Sequence, residues 1–403
     1  MKRNENLGMS RVLLAVCALS LIFVPSALAT SKTLYTFTVG SDGYEPIASL
    51  IFDQSGNLYG TTSQGGSASS GSVFKLTPNG DGTWTQSVLY SFQGGTDGAH
   101  PAARLIFDQS GNLYGTTAFG GSTNQGTVFE LTPNGGSWTE TVLHTFGNSG
   151  DGAQPFAGLV FDSVGNLYGT TEKGGAHGGG TVFKLTPNAA ESVLYSFCSV
   201  AKCGDGKGPM AGVILDQSGN LCGTTQFAGA NGDGVVFKLA PRAHGSWKET
   251  VLHSFSGSDG SQPIAGLIFD TARRLYGTTL GGGAHSDGVV FKMTHQANGS
   301  WAEKVLHSFS GSDGVNPADS VIFDQAGNLY GTTTVGGALG FGVAFKLAPN
   351  SHGGWHETVL LSFTNHPDNF PDAGLIFDGA GNLYGTTFGD GSTTHGSVFE
   401  ITP

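Results

Sequence analysis

The sequence predicts an all-β protein: a closed seven-bladed β-propeller with four antiparallel strands per blade, the N-terminal strand completing the last blade. Three observations carry this. A unit of about 54 residues recurs seven times. Each unit holds four strand-like runs. The two chain ends hold complementary parts of one unit.

The unit is read from two markers. The heptapeptide Gly56-Asn57-Leu58-Tyr59-Gly60-Thr61-Thr62, or a close variant, recurs with its leucine at Leu58, Leu113, Leu167, Leu221, Leu275, Leu329 and Leu383. The phenylalanine of a VFKL-like run recurs in the same steps, at Phe74, Phe129, Phe183, Phe237, Phe291, Phe345 and Phe399. The first step is 55 residues and the other five are 54, just above the period of known propeller blades. Composition agrees. Glycine makes up 67 of 403 residues, yet 38% are hydrophobic and only 12% charged, which is too apolar for disorder and follows no collagen period. Glycine interrupts nearly every ten residues, and no stretch sustains a helical apolar period.

The four runs can be taken in order. Leu50-Ile51-Phe52 is unbroken apolar, as expected of a strand buried on both faces near the axis. Asp53-Gln54-Ser55-Gly56-Asn57 is a hairpin turn, in which the aspartate caps the backbone and the glycine supplies the left-handed residue. Leu58 to Thr62 is the second strand and Val73 to Leu76 the third. Val88 to Phe92 is the fourth, preceded by Trp84, whose counterparts Trp138, Trp247, Trp301 and Trp355 are expected at the blade rim. The seventh unit stops at Pro403 after its third strand. Leu34 to Phe37 matches a fourth strand, and placing it in that unit completes seven sheets and covers their edges.

Residues 1–29 read as a signal peptide: Lys2, Arg3 and Arg11, an apolar run from Val12 to Val24, then Ala27-Leu28-Ala29 as the cleavage site. The run is short of the ~20 residues of a membrane span. Residues 30–403 are then one propeller domain in a secreted protein, periplasmic or extracellular, with no transmembrane segment after cleavage. Losing three bases and one acid takes the formal charge from −12 to −14, so nucleic acid is not an expected partner. A monomer is expected. Export permits a disulfide. Phe197 to Asp205 is four residues longer than its counterpart Phe255 to Asp259 and is bracketed by Cys198 and Cys203, which predicts a bridge between them. Cys222, in a second-strand tyrosine position, is expected to be a buried free thiol.

The run GNLYGTT, then a Gly-Gly loop, then VFKL-TP, resembles the bacterial Gloeo/Verruco (GloVer) tandem-repeat proteins over nearly all of residues 34–403. The resemblance implies an exported bacterial protein, often with a C-terminal surface anchor; none is expected after Pro403. It transfers no catalytic residues. The Asp-x-x-Gly-Asn-Leu-Tyr hairpin is also similar to NHL and gluconolactonase-type propellers.

The candidate chemistry is sparse. The seven turn aspartates (Asp53, Asp108, Asp162, Asp216, Asp270, Asp324, Asp378) resemble a metal array, but capping is the expected role, since a Ca²⁺ loop needs further oxygen ligands that these turns do not supply. No metal and no cofactor are expected. The Gly-Gly loops precede no helix and carry no phosphate-binding Lys-Ser/Thr pair. His144, His253 and His307 share a position with Tyr35, Tyr90 and Tyr195, which suggests packing rather than ligation. His177, His285 and His395 fall in second-to-third strand loops of different blades. No Gly-x-Ser-x-Gly elbow exists, and no catalytic residue is assigned.

Differences among the copies say more. The fourth-to-first and second-to-third connections should share one face, and there the residues vary. Glu45, His100, Gln154, Gln262 and Asn316 precede the loop prolines or stand in equivalent places, and Phe119 and Phe227 follow the Thr-Thr pairs. Arg104 and Asp319 stand where other copies carry Ala or Gly/Ser. These residues are the candidate ligand-binding set, suited to glycans or protein loops. The leading expectation is a non-enzymatic binding module at the cell surface or outside it. The alternatives are a secreted hydrolase, lyase or lactonase with its site at the axial mouth, and a structural envelope component.

Overall fold

The computed structural model describes residues 29–148, 150–365, 368–389 and 394–403; the signal-peptide segment before residue 29 lies outside them. Among the described residues the strands form seven four-stranded antiparallel sheets, each ordered from first strand to fourth. Blade 1 comprises Ile51–Phe52, Leu58–Thr62, Ser72–Pro78 and Trp84–Ser91. Blade 7 comprises Ile376–Phe377, Leu383–Thr387 and Ser397–Thr402, and its fourth strand is the N-terminal Thr30–Thr36. Thr30 pairs with Thr402 and Thr36 with Ser397, so chain start and chain end close the ring through backbone hydrogen bonds.

Strand lengths differ from the sequence expectation at both radii. The inner strand is only two residues long in every blade, because the inner edges converge on the axis and leave no partner on that side. The fourth strand is longer than expected, eight residues in blade 1, and the tryptophan opens it, with Trp84 opposite Pro78. The indoles reach across blade boundaries: Trp84 meets Tyr384 edge-on at 6.4 Å, and Trp247 meets Tyr168 at 6.3 Å. Each fourth strand also carries a bulge, as where Val73 faces Tyr90 but Phe74 faces Val88. The extra residue locally increases twist.

The repeated residues join blades to one another. The first threonine of each GTT donates to a backbone carbonyl of the next blade's inner strand: Thr61 Oγ1 to Ala103 O, Thr170 Oγ1 to Ala211 O (2.8 Å) and, at the seam, Thr386 Oγ1 to Ala48 O (3.3 Å). The phenylalanine ending each fourth strand meets the third-strand phenylalanine of the next blade edge-on. Phe92–Phe129 lie 5.1 Å apart and, across the seam, Phe37–Phe74 lie 5.0 Å apart. The glycine of GTT exists because of that ring. A Cβ on Gly60 would lie 2.6 Å from Phe74 Cζ and 2.9 Å from Leu50 Cδ2.

The turn aspartates are caps. Asp53 Oδ1 accepts from Ser55 N (2.8 Å) and Asn57 N (2.9 Å), while Oδ2 accepts from Asn57 Nδ2 (2.6 Å) and Tyr59 Oη (3.0 Å). In blade 5 the Arg274 guanidinium replaces the asparagine, with Nε 2.5 Å from Asp270 Oδ2. Cys198 and Cys203 are joined by a disulfide that closes the loop inserted between blades 3 and 4. Cys222 is a buried free thiol.

Candidate functional site: the axial channel and its mouth

The two variable sets of loops pair on one face of the ring. Tyr44 bridges Gln64, Ala99 bridges Phe119, and Lys207 bridges Phe227, while Gly152–Ala153 and Lys173–Gly174 form a short two-stranded sheet. The next residue of each fourth-to-first loop is left-handed: Glu45 (φ 58°), His100 (55°), Gln154 (58°), Gln262 (55°), Asn316 (58°) and Phe370 (54°). A proline follows each of them and disfavours the right-handed helical region. The geometry serves the ring. Gln262 N donates to Asp233 O of the preceding blade (2.9 Å), and Gln262 O accepts from Leu280 N of its own blade (3.1 Å). Glu45 makes the same two bonds, with His395 O and Ser63 N.

Their side chains differ in availability. Glu45 Oε2 accepts from Ser63 Oγ at 3.3 Å, and His100 Nδ1 lies 2.9 Å from Ser63 O. His100 meets Phe119 edge-on at 5.5 Å, and Phe119 meets Phe156 at 6.2 Å, which makes an aromatic cluster over blades 2 and 3. Gln154, Gln262 and Asn316 are half-buried, and Phe227 is 41% exposed. His177 and His285 are exposed and lie in separate blades.

Beneath the mouth lies a channel of about 730 Å³. Inner strands present alternate residues to one side, so its wall is built in layers. One layer is mostly apolar, with Ile47, Phe156, Met210 and Ile264, and is broken by Asp372. The next takes Ser49, Gly158, Gly212, Gly266 and Ser320, and is broken by Arg104. The third is isoleucine or valine, from Ile106 to Ile376. The middle layer is crowded: a Cβ on Gly212 would sit 2.6 Å from Gly158 O.

Arg104 and Asp319 both line this channel, in different chemical states. Asp319 has its acceptors filled from three blades. Oδ2 takes Ser49 Oγ (2.7 Å) and Gly374 N (2.6 Å), and Oδ1 takes Ser320 N (2.5 Å) and Ser320 Oγ (3.1 Å). It fastens blades 6, 7 and 1 beside the closure seam. Arg104 is open to channel water but walled in by protein. Its guanidinium has no hydrogen bond and no ion pair within 4 Å among the described residues. The enclosing walls disfavour its charge, and the negative Asp319, acting from farther away, offsets part of that. Asp372 is an acid that sequence reasoning missed. Burial pushes its carboxyl up, Thr334 Oγ1 donates to Oδ1 at 3.1 Å and opposes the shift, and Asp319 adds to it. The signal was present in the column of residues that directly follow the loop prolines, two positions before that of Arg104. There Asp372 is the lone acid among apolar side chains.

A second set of acids sits at the blade boundaries. His144 Nε2 lies 3.0 Å from Asp151 Oδ2, and His253 Nε2 3.0 Å from Asp259 Oδ2, with Glu191 and Glu303 of the next blade close enough to share an ion. Tyrosines make the same contact elsewhere: Tyr195 Oη donates to Asp205 Oδ2 at 2.8 Å, beside Glu249. Since a phenol serves as well as an imidazole, the shared role is to donate a hydrogen bond to the aspartate.

A closed seven-bladed propeller with one asymmetric axial channel is the class of protein these features define. The family model for the Gloeobacter/Verrucomicrobia repeat matches residues 22–216 and 208–403, and the chain belongs to that family. No curated protein matches it in sequence. Among solved structures, it is similar to a candidate 6-phosphogluconolactonase from Bacteroides fragilis NCTC 9343, with 17% identity and a TM-score of 0.51 over 84% of this chain and 87% of that one. It also matches a candidate oxidoreductase (glucose dehydrogenase) from Thermus thermophilus, with 13% identity and a TM-score of 0.48 over 93% and 100%. At these identities the first likeness speaks for the fold alone.

Proposed function

We propose that the chain is a non-enzymatic binding module acting outside the cytoplasm, with its ligand, a glycan or a protein loop, held at the axial mouth. The observation that carries this is Arg104. One column that is glycine or serine in the other six copies carries an arginine aimed into the channel. It sits below the face formed by the variable fourth-to-first and second-to-third loops, beside the His100–Phe119–Phe156 cluster. Aromatic surfaces mixed with hydrogen-bonding groups suit polar ligands. Of the two axial carboxyls, Asp319 receives four hydrogen bonds from three blades, which fits bracing better than proton transfer.

The test is a glycan array, with a pull-down from envelope extract, on wild type and two variants. Phe119→Ser with Phe227→Ser should abolish the wild-type signal, and Ser55→Arg on the opposite, turn-lined face should leave it intact. The reverse pattern sinks the assignment.

A further inference from the structure

We propose that the axial channel is a carboxylate-binding site, in which Arg104 grips the anion and the apolar layers hold the hydrocarbon or ring face of the ligand. This deepens the binding-module reading by assigning a ligand chemistry to the same mouth.

The argument begins with pseudo-symmetry. Seven near-identical inner strands would build a channel with no charge. The other six blades carry glycine or serine in the middle layer, and at Gly212 a Cβ would already sit 2.6 Å from Gly158 O, so a long cationic side chain there answers no packing need. Arg104 is also left unpaired. Asp319, the axial acid whose charge acts on it, has all its acceptor positions taken by Ser49, Gly374 and Ser320, and no anion lies within 4 Å among the described residues. An unpaired guanidinium facing a channel is met best by a planar, bidentate anion. Carboxylate fits that fork.

The walls narrow the class. About 730 Å³ is the size of a small-molecule site, and most of the lining is apolar, with Ile47, Phe156, Met210 and Ile264 in the layer nearest the loops. That surface desolvates the ion pair and strengthens it. Asp372 breaks the same layer, and burial pushes its carboxyl up. Thr334 Oγ1 donates to Asp372 Oδ1 at 3.1 Å, which ties down one of its two oxygens. The ligand is therefore an organic carboxylate with an apolar or mixed face. Such a group comes either from a free organic acid or from a uronic-acid residue of a glycan.

The test is titration calorimetry on the full chain with tri-galacturonate and hexanoate as probes, and with galactotriose and hexanol as uncharged controls. Arg104→Gly restores the residue that four other blades carry at this position, so it should fold, as an unchanged melting temperature will verify. At least tenfold weaker binding of either acid in Arg104→Gly, with partial recovery in Arg104→Lys, supports the proposal. Uronate binding alone points to an acidic glycan, and hexanoate binding alone to a free acid. Equal affinity in Arg104→Gly, or no binding of either acid, overturns it. If galactotriose binds as tightly as tri-galacturonate, this inference fails while the binding-module reading stands.

Discussion

Single residues in this chain are fixed mostly by what the next blade requires. Gly277 is the clearest case, since a Cβ there would lie 2.8 Å from both Leu267 Cδ2 and Phe291 Cζ. Gly277→Ala should cost about 1–3 kcal/mol through overpacking, read by urea denaturation. Gly379→Ala, at a site with nothing within 4 Å, should be close to neutral. Cys222 gives a chemical readout. Burial pushes its thiol up to about 12, Asp216 adding to this and Lys238 opposing it, so little thiolate exists at pH 8. Iodoacetamide followed by peptide mapping should leave Cys222 unmodified in the native protein and label it fully in guanidinium. Rapid native labelling would contradict its burial.

At the scale of the strand, the fourth strands carry a line of acids whose partners lie in the preceding blade. Glu140, Glu191, Glu249, Glu303 and Glu357 each have one carboxyl oxygen buried without a hydrogen-bond partner. Facing them are Asp97, Asp151, Asp205, Asp259 and Asp313, each bonded in turn to Tyr90, His144, Tyr195, His253 or His307. Burial first, and the neighbouring aspartate second, push Glu140, Glu249, Glu303 and Glu357 up to about 7; Glu191 moves the same way. The folded state therefore holds more protons than the unfolded chain between 4.5 and about 7. Stability from these groups is complete below that window and is lost as pH rises through it. His307, lowered by burial, works against this on the acid side of its ordinary 6.5. The turn aspartates, such as Asp324, are lowered from 3.8 because hydrogen bonds outweigh burial, so they withdraw their support only as pH falls below about that value. The melting temperature should accordingly rise from pH 8 to pH 5.5. Glu303→Gln, which is neutral at every pH, should flatten part of that rise and be the more stable protein at pH 8. A melting temperature that instead falls steadily from pH 8 to pH 5.5 would refute the assignment.

For the molecule as a whole, closure is the decisive event. The seam between blades 7 and 1 repeats every other boundary: Thr386 to Ala48, Phe37 on Phe74, and Gly396 against Pro46. Its special feature is that the fourth strand of blade 7 comes from the other end of the chain. Deleting residues 30–36 exposes the edge of Ser397–Thr402 and should produce a large drop in melting temperature with concentration-dependent aggregation, followed by light scattering. Adding Thr30–Thr36 as a separate peptide should partly restore the melt. An unchanged melt would mean that the strand is ornamental.

What the sequence determined by itself follows from the range of the interactions involved. The hairpin caps span four residues, from Asp53 to Asn57, and the glycine and proline punctuation is local, so seven copies made them legible. The repeat count and the complementary ends, Leu34–Phe37 and Pro403, were enough for ring closure. The inserted loop between Cys198 and Cys203 declared itself by length alone. Tertiary structure decided everything that depends on residues meeting across blades. Arg104 and Asp319 look alike in sequence, as two charges that break small-residue columns, yet one is braced by three blades and the other is left unpaired: it is Asp319 that is braced. Asp372 and the fourth-strand glutamates passed unnoticed because a charge acquires its meaning from burial and partners. Those partners lie tens of residues away, on strands that only the closed ring brings together at its axis and its blade boundaries.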